Sequence, residues 1–177
     1  MPVTIVEYDP NWPDVFAAQR EAILAVGGDL IVAIEHVGST AVPGLAAKPV
    51  IDIFVAVKSV DDQGRALIEA VRPLGYVEFD PGMPGRLMCT RDEDGARTQH
   101  LHIVSLSRWD LLNERLLRDW LLTHPLDRDR YAALKKELAA AGHDGLEYTR
   151  AKTSLVQELV DAARAARGLA SVEVWEE

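Results

Sequence analysis

Residues 50–57 read Val50-Ile51-Asp52-Ile53-Phe54-Val55-Ala56-Val57, an apolar run interrupted by a single carboxylate. With Pro49 in front of it, the run has the length of one strand. Apolar residues at both parities mean that both of its faces are covered, which places it in the middle of a sheet packed by helices. A carboxylate in such a strand is costly unless it is paired, hydrogen-bonded or bound to a metal. The run therefore fixes a fold requirement and a chemical question together, and both concern Asp52.

The rest of the chain supplies the layers that such a strand needs. Helical spacing of Val15, Phe16, Ile23 and Val26 predicts a helix over about 14–25, opened near Pro13 and ended by Gly27-Gly28. Leu30 to Val37 reads as a strand that runs into the Gly38-Ser39-Thr40 loop, and Ser59 to Val71 as a helix capped by Ser59. Short extended segments follow at Val77–Phe79, Arg86–Arg91 and Thr98–Leu106. The breaker cluster Pro81 to Gly85 precedes the second of these, and an Asp92–Gly95 turn follows it. From Ser107 the pattern is helical, with Ser107 and Asp110 spaced like a capping box. His124-Pro125 separates that helix from one over about 127–141, and Gly142 and Gly145 separate the latter from a third over 149–167, followed by an acidic, frayed tail. The expectation is an α/β (α+β) single domain over 1–177, with a mixed-sheet core over about 1–106 and a C-terminal helical cap over about 107–168.

Composition narrows the function classes. The formal net charge of −9 argues against a broad nucleic-acid surface. The one cysteine, Cys89, excludes an intrachain disulfide framework and reads as a small buried residue. No segment approaches the roughly 20 apolar residues of a membrane span, and no signal-like leader is evident, so a cytoplasmic protein without a membrane partner is expected.

Three groups of residues can carry chemistry. Gly38-Ser39-Thr40 follows a strand and offers backbone donors and two hydroxyls, a combination suited to phosphate; the same residues also make an ordinary capped turn. Asp52 either serves a ligand or pairs with Lys48, Arg86 or a helix end and only fixes the sheet. His100 and His102, two apart on a strand, share a face and can bind a metal or an anion, with Glu35 or Asp52 as partner. Lys48, Arg115, Arg118, Arg150 and Lys152 are cations able to meet phosphate, although helix charges are usually solvated.

These residues sit in motifs that resemble the GrpB family. The motifs are Tyr8-Asp9-Pro10-Asn11-Trp12, the stretch from Glu35-His36-Val37-Gly38-Ser39-Thr40 to Lys48-Pro49-Val50-Ile51-Asp52-Ile53, and His100-Leu101-His102. Arg118-Asp119-Trp120 through His124-Pro125, and Tyr148-Thr149 with Lys152, complete the match. The resemblance implies a nucleotidyltransferase-like fold in which Ser39 contacts phosphate, Asp52 binds a divalent metal such as Mg²⁺ or Mn²⁺, and Lys152 neutralises a phosphate tail. Such transferases carry two alternating carboxylates on this strand, whereas here Phe54 takes the second position; Glu35, His100 or His102 would complete a different site.

Two function classes follow as expectations. One is a metal-dependent nucleotidyltransferase-like enzyme, with Ser39 and Asp52 as its catalytic pair. Its ligand would be a nucleotide or other phosphate-containing small molecule held by Gly38, Ser39, Thr40, Lys48, Arg118 and Lys152, and its metal would be held by Asp52, Glu35, His100 and His102. The other is a module without catalysis that binds a nucleotide, a coenzyme-like molecule, an anion or a protein partner; in its blandest form it is a structural module that assists a neighbouring protein, with Asp52 and the histidines in a satisfied buried polar network.

Overall fold

A computed structural model describes residues 3–80, 82–143 and 145–174. Pro81 of the predicted breaker cluster and the last residues of the acidic tail lie outside them. The fold is a mixed α/β arrangement in which the chain divides into two compact units. One comprises Pro10–Val37 and Val50–Asp110, the other Met1–Asp9, Gly38–Pro49 and Leu111–Glu177.

The first unit holds a five-stranded sheet built from β1 (Ala33–Val37), β2 (Ile51–Val57), β3 (Val77–Phe79), β4 (Arg86–Glu93) and β5 (Ala96–Ser105). Their order across the sheet is β1-β2-β5-β4-β3. The strand β2 is therefore interior, as its apolar run requires, antiparallel to β1 and parallel to β5. The helix α1 (Trp12–Gly27) packs on β1 and β2, and α2 (Arg65–Val71) packs on α1.

Strand alternation gives the sheet two unlike faces. Ile51, Ile53, Val55 and Val57 share one face with Leu101, Ile103 and Cys89, all buried. The turn before α2 seats itself there through Gly64, where an added Cβ would lie 3.2 Å from Leu87 and 3.4 Å from Ile103. The other face carries Asp52 and Phe54 of β2, His100 and His102 of β5, and Met88 and Thr90 of β4.

Several boundaries differ from the sequence reading, each for a local reason. The first strand begins at Ala33 because Gly28–Leu30 forms a 3₁₀ turn. The helix expected from Ser59 is divided into a π turn, Val60–Gly64, and α2; Ser59 caps the turn by accepting the Asp62 amide at 3.2 Å. No continuous helix starts at Ser107. Residues Leu106–Leu111 are 3₁₀, and the Ser107 hydroxyl lies 2.9 Å from that of Ser105, at the end of β5.

The second unit is helical: α3 (Asn113–Thr123), α4 (Pro125–Ala140) and α5 (Gly145–Ala165). Pro125 opens α4 as a first-turn proline, which lets the break at His124 be abrupt. The Gly38–Pro49 loop contributes Val42 and Leu45 to a core with Leu121 of α3, Tyr131 of α4 and Leu159 of α5. The tail after Gly168, expected to fray, is tied down as far as Val174. Arg164 donates to the Ala170 carbonyl at 2.6 Å, and Gln157 binds both the Val172 carbonyl and the Val174 amide. Long polar side chains on α5, unremarkable in sequence, supply these bonds.

Cys89 is fully buried on β4, opposite Leu101, and burial pushes its thiol up to about 12. A thiol whose folded pKa exceeds its unfolded value of about 8.5 favours folding fully below that value and loses the contribution as pH rises through the folded one. Native protein at pH 8 is therefore expected to leave its thiol unreacted with a disulfide reagent, with one thiol per chain appearing on denaturation; fast labelling of the native state would contradict this burial. Cys89→Ala should flatten the loss of stability between about pH 8.5 and 11.

Candidate functional site

Register brings the chemistry-bearing residues of the sheet together. Asp52 is paired in the ladder with His100, and Phe54 with His102, so the two histidines of β5 stand beside the two positions of β2 that share their face. The Asp52 carboxylate accepts a hydrogen bond at 3.0 Å from His100 Nδ1. His102 Nε2 lies 3.8 Å from the same oxygen, Oδ1, beyond hydrogen-bond reach. One donor atom from each of Asp52, His100 and His102 lies within 4.8 Å of the others, a spacing on which a metal ion can be held. Glu35 of β1 sits opposite Phe54 and shares the face, outside this trio.

Phe54 explains the attitude of His102. Its ring stacks on the imidazole with centroids 4.3 Å apart and 19° between planes, while the Arg86 guanidinium lies 5.2 Å from the Phe54 centroid on β4's side. The imidazole is thus clamped edge-on to Asp52, with its side chain 2% exposed and neither ring nitrogen hydrogen-bonded. The ring of Phe54 holds a histidine in place.

Burial alone would raise the Asp52 carboxyl. The hydrogen bond from His100, the polar contact of His102 and the electrostatic attraction of both outweigh it and hold the group well below the usual carboxylate range. Asp52 is therefore a charged acceptor at neutral pH, with 22% of its side chain exposed.

The Gly38-Ser39 loop belongs to the helical unit. Gly38 has φ 78°, a left-handed conformation natural to glycine, and Ser39–Ala41 then form a 3₁₀ turn. Lys135 of α4, 2% exposed, donates from Nζ to Ser39 Oγ at 2.9 Å and lies 4.6 Å from the Tyr131 ring. Thr40 is buried beside it in the chain. Lys48 and Lys152 lie 5.1 Å and 4.6 Å from the centroid of one ring, that of the buried Tyr148. Arg118 instead donates to Asp119 from Nε and Nη2, at 3.0 Å and 2.8 Å.

Lys135 was the residue the sequence reading missed. A signal existed: Tyr131, Lys135 and Leu138 follow helical spacing, so Lys135 occupies the apolar stripe of α4.

The GrpB protein family model matches residues 2–162. The chain belongs to the GrpB family. It is 35% identical over 167 residues to a UPF0157 protein of Halalkalibacterium halodurans, covering 92% of this chain and 83% of that one. The crystal structure of conserved protein GrpB from Enterococcus faecalis matches with a TM-score of 0.84 at 28% identity, over 93% of this chain and 99% of that chain. Terminal uridylyl transferase 4 from Trypanosoma brucei with bound CTP matches at a TM-score of 0.50 and 16% identity, over 90% of this chain and 52% of that chain. The fold is nucleotidyltransferase-like. No helix among the described residues is long and apolar enough to cross a membrane.

His102→Phe removes two buried ring nitrogens without hydrogen bonds, keeps a ring against Phe54, and also removes an attraction that helps keep Asp52 ionised. The Asp52 carboxyl is therefore expected to titrate at higher pH in the variant than in the wild type, read by NMR of the carboxyl carbon. An unmoved titration would show that His102 does not act on Asp52.

Proposed function

We propose that this GrpB-family protein is a metal-dependent nucleotidyltransferase-like protein that binds a nucleotide or another phosphate-containing small molecule at the Gly38-Ser39 loop and a divalent cation at Asp52. The observation that carries the reading is the Ser39 hydroxyl, which follows the left-handed Gly38 and accepts a hydrogen bond at 2.9 Å from the ammonium of Lys135. A cation beside a loop hydroxyl is suited to an anionic ligand, because charge-assisted hydrogen bonds to phosphate are the strong ones. Lys48 and Lys152, gathered on Tyr148 within the same unit, add positive charge suited to a phosphate tail. The carboxylate of Asp52 stays ionised, as a cation ligand must.

A second reading is favoured by Phe54. With that ring where transferases of this fold place a carboxylate, the protein would bind a nucleotide, a coenzyme-like molecule or a protein partner without transferring anything. Pyrophosphate release from nucleoside triphosphates in the presence of divalent metal, lost in Asp52→Asn, supports transfer. Nucleotide binding without release supports the second reading.

Lys135→Met keeps the stem that packs on Tyr131 and discards the charge. Its affinity for nucleotide or pyrophosphate in EDTA should fall about 10–100-fold, the worth of one charge-assisted hydrogen bond; Ser39→Ala should weaken it as well. Unchanged affinity in both variants would remove the loop from the ligand site.

A further inference from the structure

The metal that nucleotidyltransferase-like folds lead one to expect is Mg²⁺, held by alternating carboxylates. The residues present do not fit it. Mg²⁺ takes oxygen ligands, dehydrates reluctantly and relies on one or two carboxylates plus substrate phosphates. Here the sheet offers one carboxylate and two imidazoles, Asp52, His100 and His102, with their donor atoms within 4.8 Å of one another. The second carboxylate position holds Phe54, which is stacked on one of those imidazoles.

We propose that Asp52, His100 and His102 form a three-donor site for a nitrogen-accepting transition-metal ion of the Zn²⁺, Co²⁺, Fe²⁺ or Ni²⁺ class rather than for Mg²⁺. The inference deepens the reading of Asp52 as a metal ligand and rests on it. Imidazole donors suit these ions, and two histidines with one carboxylate leave coordination positions open for water or a ligand. The independent observation is His102. Its side chain is 2% exposed, both ring nitrogens lack hydrogen-bond partners, and Nε2 points at the Asp52 oxygen from 3.8 Å. A buried nitrogen without a hydrogen bond, facing at 3.8 Å a carboxylate that His100 also engages, is the arrangement a shared cation would satisfy. Phe54 acts as a positioning residue: by fixing the plane of His102 it does for this ligand what hydrogen-bonded outer groups do in other metal sites. The His100–Asp52 hydrogen bond holds together two of the residues that would bind the ion.

The test uses the full chain stripped with EDTA and dialysed, titrated separately with Zn²⁺, Co²⁺, Mn²⁺ and Mg²⁺ by calorimetry, with Co²⁺ also followed by its visible d–d absorption. One equivalent of Zn²⁺ or Co²⁺ should bind at least about 100-fold more tightly than Mg²⁺. Removing a ligand should weaken Co²⁺ binding by about 100-fold or more, and Phe54→Leu, which frees the ring, by about 10-fold. His102→Ala serves as the ligand variant; His100→Ala, at a partly exposed position, serves where the former fails to fold. Tighter binding of Mg²⁺ than of Co²⁺ would overturn the metal class while leaving Asp52 as a metal ligand. Undiminished Co²⁺ binding in a folded histidine variant would overturn the ligand set. Binding of none of the four ions would overturn both this site and the metal half of the proposed function; nucleotide affinity in EDTA, read through Ser39 and Lys135, reports separately on the phosphate half.

Discussion

A carboxylate sits in the most apolar strand of the sheet, and the arrangement around it answers the cost of putting it there. Asp52 keeps its charge because β5 runs parallel to β2 in a register that sets His100 beside it, close enough to donate a hydrogen bond. A shift of that register by one residue would present Leu101 instead and turn both imidazoles into the layer of Ile53, Val55 and Cys89. The electrostatics of the site and the packing of the core thus depend on one alignment. The odd-numbered positions of β2 bury aliphatic side chains beneath α1 and the π turn, and they hold the even-numbered ones where chemistry is available.

The same alignment gives Phe54 a meaning. Across the ladder Phe54 is the partner of His102 and stacks on its imidazole, so the aromatic position of β2 and the nitrogen donor of β5 are set together. The fold fixes where these side chains point, and their identity, one carboxylate and two imidazoles, decides which ions the face suits.

How much was legible in the sequence follows from where each signal resides. The interior strand, the pairing of His100 with His102 on one face, and the isolation of Asp52 are properties of alternation within single strands, and these appear in the structure as read. Which carboxylate the histidines meet is set by register between strands 48 residues apart, and the sequence left Glu35 and Asp52 equal. The chain boundaries that moved did so where local bonds compete with a helix, as in the π turn after Ser59 and the Ser105–Ser107 contact. Lys135 was overlooked because lysines on helices are usually solvated; only its neighbours Tyr131 and Leu138 in the buried stripe mark it as different.

Lys135 and His102 pose the same physical problem in different units of the chain. Each is a polar group nearly sealed from water and set against an aromatic ring: Tyr131 for the ammonium, Phe54 for the imidazole. A sequence selected only for stability would place methionine or phenylalanine there, since both fit an apolar stripe without desolvation cost. Rings that exclude water also strengthen whatever charge later approaches, because an electrostatic contact made in a drier environment is less screened. The phosphate we propose at the Ser39 hydroxyl and the metal ion we propose at Asp52 are charges whose contacts such surroundings would strengthen.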